Sequence, residues 1–289
     1  DQTIDTYSYR HTEHVPHTPP SEVSEHLLES SIPRKLSFTG SVPVGIHLQK
    51  LAAKNLIRCT MELGGHSPVM VFEDCDIESA AKLCAAGKFR NAGQVCVSVQ
   101  RVFCVNSSGK ELADSLADQA SKLVVGNAIE AETQCGPLIR NREVDRVEDW
   151  VAEAVDAGAQ VVCGGKKLSS SCYAPTVLLN PPETCRVSRQ EIFGPVISVY
   201  EKENLNEAIL QANDLQFAFQ ASVFSDSHSE IMDIVNRLDG SAIMVNEHSA
   251  FRVDWMPFAG RKNSGFGVGG IPHSIEEMSQ SKMVVFSFN

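Results

Sequence analysis

The chain has 289 residues, 43% of them hydrophobic and 21% charged, with a formal net charge of −11. That length buries one large core or two modest ones, and the composition is that of an ordinary globular protein. The acidic balance without clustered Lys and Arg argues against a nucleic-acid partner, no apolar run reaches membrane-spanning length, and nine cysteines without a CxxC pair suggest neither a zinc site nor a disulfide framework.

Reduced thiols and a start, Asp1-Gln2-Thr3-Ile4-Asp5, unlike a signal peptide predict a cytoplasmic protein. Residues 1–20 are polar, and although His11, His14 and His17 recur every third position, Pro16, Pro19 and Pro20 forbid the helix that would align them. An irregular segment without a metal is expected there. Ser21 reads as the N-cap of a short helix to residue 29, with Val23, Leu27 and Leu28 on its buried side. A strand over 35–39 then runs into Gly40-Ser41 and a helix on which Val44, Leu48, Leu51 and Ala52 recur at helical spacing. Such a junction gathers free N–H groups and a positive dipole end, which suits a phosphate, although a Gly-Ser pair also serves as a plain cap.

Residues 57–63 and 67–73 read as strands around Gly64-Gly65, and Asp76 caps a long helix that Asn91-Ala92-Gly93-Gln94 breaks, leaving Cys96 in a loop. A lone cysteine is most often a small core residue. Here a carboxylate, Glu62, ends an apolar strand beside it, and cysteine with carboxylate is a nucleophile-and-base arrangement. Further on, strands over 100–105, 219–224 and 241–246 alternate with helices over 111–123, 141–157, 205–213 and 229–238, which predicts an α/β fold with a largely parallel sheet. Gly164-Gly165 and the serines 169–171 mark a surface turn. Glu191 by itself reads as a solvated charge before the buried strand 196–199. Arg252, beside Trp255, is either a surface residue or a clamp for an anion. A helix over 274–282 and an apolar terminal strand over 283–288 close the chain.

Four segments carry a family likeness: Met61-Glu62-Leu63-Gly64-Gly65-His66-Ser67-Pro68, Phe89-Arg90-Asn91-Ala92-Gly93-Gln94-Val95-Cys96, Glu191-Ile192-Phe193-Gly194-Pro195, and Pro257-Phe258-Ala259-Gly260-Arg261-Lys262-Asn263-Ser264-Gly265. In this order they resemble the aldehyde dehydrogenase family, from about Pro20 to the C-terminus. The resemblance implies a parallel-sheet catalytic domain with a remnant of a Rossmann-type cofactor domain. It divides the chain into an unassigned segment (1–20), the cofactor-domain remnant (21–61), a catalytic domain carrying Cys96 (62–250) and a C-terminal return with an oligomerisation strand (251–289). It implies Cys96 as nucleophile and Glu62 as general base. Gly40, Ser41 and Gly45 would lie near the pyrophosphate of NAD or NADP, with Leu63 and Gly64 also on the cofactor side. Glu191 would hold the nicotinamide-side ribose, Phe193 would lie beside the nicotinamide, and Arg252 and Phe258 would line the substrate entrance. His66 stands where many members carry lysine and is taken as structural.

The implied reaction oxidises a small polar or anionic aldehyde, such as lactaldehyde, succinate semialdehyde or glyceraldehyde phosphate, through a thiohemiacetal and a thioester on Cys96. A homo-oligomer, dimer or tetramer, is implied as well. The family's oxyanion asparagine and its adenosine-binding strands lie upstream in other members and have no counterpart here. The sequence therefore reads as a fragment of a larger enzyme or as a short member. A cysteine-dependent esterase and a binding or assembly protein without dehydrogenase activity are the alternatives.

Overall fold

The computed structural model describes residues 19–105 and 109–288; the three N-terminal histidines lie outside them. Helix α1 (Pro20–Glu29) begins with proline in its first turn, where the missing N–H is no loss, so Pro19 and not Ser21 is its cap. Only Leu28 of its three apolar residues is buried, while Val23 and Leu27 are exposed. Strand β1 (Lys35–Thr39), helix α2 (Val42–Ala53) and strand β2 (Arg58–Glu62) follow, and β1 pairs in parallel with β2 so that Thr39 stands opposite Glu62.

Next come β3 (Pro68–Phe72), α3 (Ile77–Phe89), β4 (Arg101–Val105), α4 (Gly109–Ser121), α5 (Asn141–Asp156), β5 (Gln160–Cys163), β6 (Thr176–Leu179), α6 (Arg186–Arg189) and β7 (Val196–Lys202). The last part holds α7 (Leu205–Asn213), β8 (Phe217–Ala218), β9 (Gln220–Phe224), α8 (His228–Arg237), β10 (Ala242–Val245), β11 (Arg261–Lys262), β12 (Gly265–Phe266) and α9 (Ile271–Glu277). Seven strands form one sheet in the order β10-β9-β3-β4-β7-β6-β5, parallel throughout except for β5 against β6. A smaller sheet, β1-β2-β12, takes its third strand from the C-terminal part of the chain, antiparallel to β2. A two-stranded ladder joins β8 to β11.

The large sheet is covered on both faces, and alternation along its central strands divides the core. Val69 and Val71 of β3 pack with Cys84, Phe89, Leu112 and Leu116 of α3 and α4. Met70 and Phe72 pack on the other face with Phe103, Tyr200, Ile209 and Ile234. Burial on both faces explains why 69–72 and 102–105 read as unbroken apolar runs. Arg101 opens β4 almost fully buried, and its guanidinium donates to the Gln211 and Ala212 carbonyls at 3.0 Å each, closing the end of α7.

Two strands go unpredicted, and two expectations are corrected. Strands β5 and β6 carry no clear signal, being four residues each and interrupted by a glycine turn. Helix α9 begins at Ile271 and ends at Glu277, short of residue 282. Residues 283–288 form no strand; Met283, Val284, Val285, Phe286 and Phe288 are exposed. A strand needs a neighbouring edge, and this chain places none against that segment. Among the described residues no disulfide, no ligand cluster for a metal and no helix long and apolar enough to cross a membrane is found.

Candidate active site

Helix α3 aims the chain at the cavity. Asp76 caps it as predicted, its Oδ1 accepting the N–H groups of Glu78 at 3.0 Å and Ser79 at 3.2 Å. After Phe89 the backbone enters the left-handed region at Asn91 (φ 51°), Ala92 (φ 53°) and Gly93 (φ 73°). Two non-glycine residues there cost on the order of 1–2 kcal/mol each. Local hydrogen bonds offset this: Gln94 N–H donates to the Asn91 carbonyl at 3.1 Å, Asn91 Nδ2 to the Gln94 carbonyl at 3.0 Å, and Ile139 N–H to Gln94 Oε1 at 2.9 Å. The tight reversal leaves Cys96 half-buried in a loop. Gly65 lies so close behind it that a Cβ there would overlap the Cys96 carbonyl oxygen.

Glu62 ends β2, and Thr39 Oγ1 donates to its Oε2 at 3.3 Å. Its carboxylate leans against Gly269, where a side chain would collide with Oε1. The second carboxylate, Glu191, accepts the Gly65 N–H at 3.0 Å. Gln100 clamps the backbone on either side of it: Nε2 donates to the Gln190 carbonyl at 2.8 Å, and Oε1 accepts the Ile192 N–H at 3.0 Å. His66 is buried beside this clamp with Nε2 2.9 Å from the same Gln190 carbonyl. Burial holds the imidazole well below its usual range, so it is neutral, with Nε2–H as donor. Burial raises the Glu191 carboxyl to about 6, against the pull of the Gly65 N–H and of the cations Lys88 and Arg146.

One cavity of about 830 Å³ brings together Cys96, Glu62, Leu63, Gly64, Glu191, Phe193, Gly40 and Ser41. Phe193 is 40% exposed and held at φ 42°, a strained conformation for an aromatic residue at a cavity wall. The Cys96 thiol is pushed up to about 11, first by burial and then by Glu191, with Glu62 adding to it, while the N–H groups of Cys96 and Val97 pull the other way. The resting sulfur is therefore a thiol. Nothing caps the start of α2: the Ser41 hydroxyl makes no capping bond, and the first turn holds no acidic residue. Ser41 and Pro43 border this cavity, so the positive end of the α2 dipole lies beside it.

Three of the predicted site residues do not line that cavity. The Gly45 N–H is already bound to the Ser41 carbonyl at 2.9 Å, and the missing side chain admits Leu63, whose Cδ2 would lie 2.6 Å from a Cβ there. Gly45 is thus a packing glycine. Phe258 is buried edge-on against Phe219, with Val97 and the partly buried Cys96 in the same cluster. Arg252 stacks on the Phe258 ring at 4.1 Å and lines a separate cavity of about 670 Å³, which it shares with Glu62, Asp254 and Ser274. Glu62 therefore borders both cavities.

Sequence reading also passed over Lys88, Gln94, Gln100 and Arg146. Gln94 lies within the Cys96 motif, two residues before the sulfur. Arg146 lies over Trp150 at 4.7 Å, and its Nη2 donates to the Ile192 carbonyl at 2.7 Å. Gln100 and Arg146 carry no local signal, because only the tertiary fold brings them to Glu191.

A cysteine, two carboxylates and an uncapped helix start around one cavity make a thiol-and-carboxylate site on an α/β scaffold. The chain belongs to the aldehyde dehydrogenase family, whose sequence model matches residues 13–284, beginning inside the segment that the motifs left unassigned. It is 38% identical over 267 residues to a 3-sulfolactaldehyde dehydrogenase of Priestia aryabhattai, covering 92% of this chain and 55% of that protein. The solved lactaldehyde dehydrogenase of Escherichia coli superimposes with a TM-score of 0.86 at 32% identity, over 91% of this chain and 55% of the other. The glyceraldehyde-3-phosphate dehydrogenase GapN of Methanocaldococcus jannaschii, solved with NADP, gives 0.81 at 32% identity over 86% and 53%. The chain thus spans about half the length of the relatives it matches.

Proposed function

We propose that this chain carries the nucleophile and general base of an NAD- or NADP-dependent aldehyde dehydrogenase acting on a small aldehyde with an anionic or hydroxyl group. The observation that supports this best is the shared cavity, where Cys96 and Glu62 meet Glu191, Phe193 and the α2 N-terminus. The residues suit a dinucleotide: the uncapped start of α2 at Ser41 fits a pyrophosphate, and Glu191 fits ribose hydroxyls. Pro43 borders both this cavity and an apolar groove of about 610 Å³ between α1 and α2, so a long ligand can continue past the helix start. When bound, the dinucleotide supplies the hydride acceptor, and its cationic ring would offset the two carboxylates that keep Cys96 protonated.

The chain's own residues do the rest. Cys96 sulfur forms a bond to the aldehyde carbon, and its proton leaves toward Glu62 directly or through water. After oxidation, Glu62 gives that proton up to solvent, takes one from the water that adds to the thioester, and returns it to the sulfur as the acid leaves and the thiol re-forms. Glu62 suits this because it borders a second, solvent-open cavity from which water reaches it. The names of the relatives, 3-sulfolactaldehyde and lactaldehyde dehydrogenase, favour an anionic or hydroxylated substrate. Arg252 on the Phe258 ring is the cation placed to meet a sulfonate, carboxylate or phosphate.

The test is growth of reduced-nicotinamide absorbance with purified chain, NAD or NADP, and lactaldehyde or 3-sulfolactaldehyde, beside a Cys96→Ala control. Turnover lost in the control supports the proposal. Absence of turnover with Cys96-dependent cleavage of an activated ester refutes the dehydrogenase reading for this chain in favour of an acyl-hydrolase. Absence of both leaves a binding protein. Arg252→Gln is expected to raise KM for the anionic aldehyde by about 10–100-fold and to leave a neutral aldehyde nearly unchanged.

A further inference from the structure

Lys88 is one of the largest fully buried side chains, 1% exposed, in the last turn of α3 directly before the left-handed reversal that delivers Cys96. An ammonium without solvent is costly unless an opposite charge answers it. The surroundings of Lys88 supply one. Its Cε lies 3.2 Å from where a Gly93 Cβ would be, and the Gly194 carbonyl oxygen lies closer still to the same point. The end of the Lys88 side chain and the Glu191–Gly194 segment thus meet at one face of Gly93. Glu191 is the carboxylate whose charge acts on Lys88, and Lys88 acts on Glu191 more strongly than any other cation does.

We propose that Lys88 is the counter-charge of Glu191, a positioning residue sealed beneath the Cys96 loop that keeps this carboxylate ionised and aimed into the cavity. Burial drives both groups toward neutrality while each resists the other's loss of charge, which leaves the amine at about 7 and the carboxyl at about 6. The remaining charges facing Glu191 cannot replace it. Arg146 of α5 is engaged by Glu143 at 2.8 Å and by the Ile192 carbonyl, the Gly65 N–H contributes a dipole only, and Cys96 and Glu62 add no positive charge. Behind Lys88, His248 packs on Gly87 and is held below its usual range by burial, with Glu247 and Arg90 the charges nearest it. That Glu191 holds a ribose rests on the function proposed above; the pairing with Lys88 does not.

Carboxyl-13C glutamate labelling of the full chain reads the pairing directly, with the Glu191 resonance assigned by its loss in Glu191→Gln. In the unaltered protein it titrates near 6. Lys88→Met keeps the apolar stem and is expected to move that midpoint up by about one unit, a tenfold change in protonation at fixed pH, while Lys88→Arg returns it toward the starting value. Thermal melts establish that each variant is folded. An unmoved Glu191 midpoint in folded Lys88→Met overturns the proposal, as does an equal shift in Lys88→Arg and Lys88→Met, which would mark Lys88 as packing alone. If Lys88→Met does not fold, the Lys88→Arg titration decides: a Glu191 midpoint within about half a unit of the unaltered value supports the pairing, and a larger rise refutes it. None of these readings requires cofactor or turnover, so they stand or fall apart from the dehydrogenase assignment.

Discussion

Glu191→Gln tests the electrostatics around Cys96. With the thiol pushed to about 11, roughly one Cys96 in a thousand is ionised at pH 8. Glu191 is charged over the whole range in which that thiol titrates, because its own carboxyl ionises near 6. After burial it is the largest cause holding Cys96 up, ahead of Glu62. Removing one such charge from a largely buried cavity lowers the thiol by about one unit and raises the thiolate fraction at pH 8 about tenfold. A less basic thiolate is also a weaker nucleophile, so the alkylation rate rises only about threefold. The assay is iodoacetamide labelling of the Cys96 peptide, quantified by mass spectrometry between about pH 7 and 11. Glutamine keeps an oxygen for the Gly65 N–H, so the loop geometry persists. A midpoint that stays put or rises in Glu191→Gln, with Glu62→Gln lowering it, would refute the assigned order of influences.

Gln100→Leu leaves the Ile192 N–H and the Val187 carbonyl without their partner, and the Gln190 carbonyl with His66, and is expected to cost about 2–4 kcal/mol in urea denaturation; a loss below about 1 kcal/mol would mean the clamp is not holding Glu191. Gly65→Ala drives a methyl into the Cys96 carbonyl and should cost about 1–3 kcal/mol and change Cys96 labelling, whereas Gly136→Ala, with its nearest atom at 3.6 Å, should do neither; equal behaviour of the two would count against the close approach. Glu277 is held below the usual carboxylate range by Lys35, with Thr60 and Arg58 adding to it, and ties α9 to the small sheet. Its stabilisation is present above the unfolded carboxylate value and is lost as pH falls through the folded one. Hydrogen exchange in α9 should accelerate in that acidic window, and Glu277→Gln should abolish the acid dependence; an unchanged dependence in the variant refutes the tether.

The sequence alone carried most of the local structure, because local structure is written in periodicity and caps. Asp76 caps α3, α7 falls on residues 205–213, and β3 and β4 fall within the strands predicted over 67–73 and 100–105, since each is set by neighbours a few residues away. The motifs around Glu62, Cys96 and Glu191 were legible for the same reason: glycines beside reactive residues mark close backbone approaches. Tertiary structure decided what these groups do to one another. Glu191 became a cavity carboxylate only through Gly65, Gln100 and Lys88, which lie about a hundred residues or more before it. Gly45 turned from phosphate contact to packing glycine because Leu63 fills its place, and Arg252 moved to a second cavity because Phe258 stacks beneath it. Segment 283–288 has the pattern of a strand, and pattern supplies only the propensity; pairing requires an edge that this chain does not bring to it.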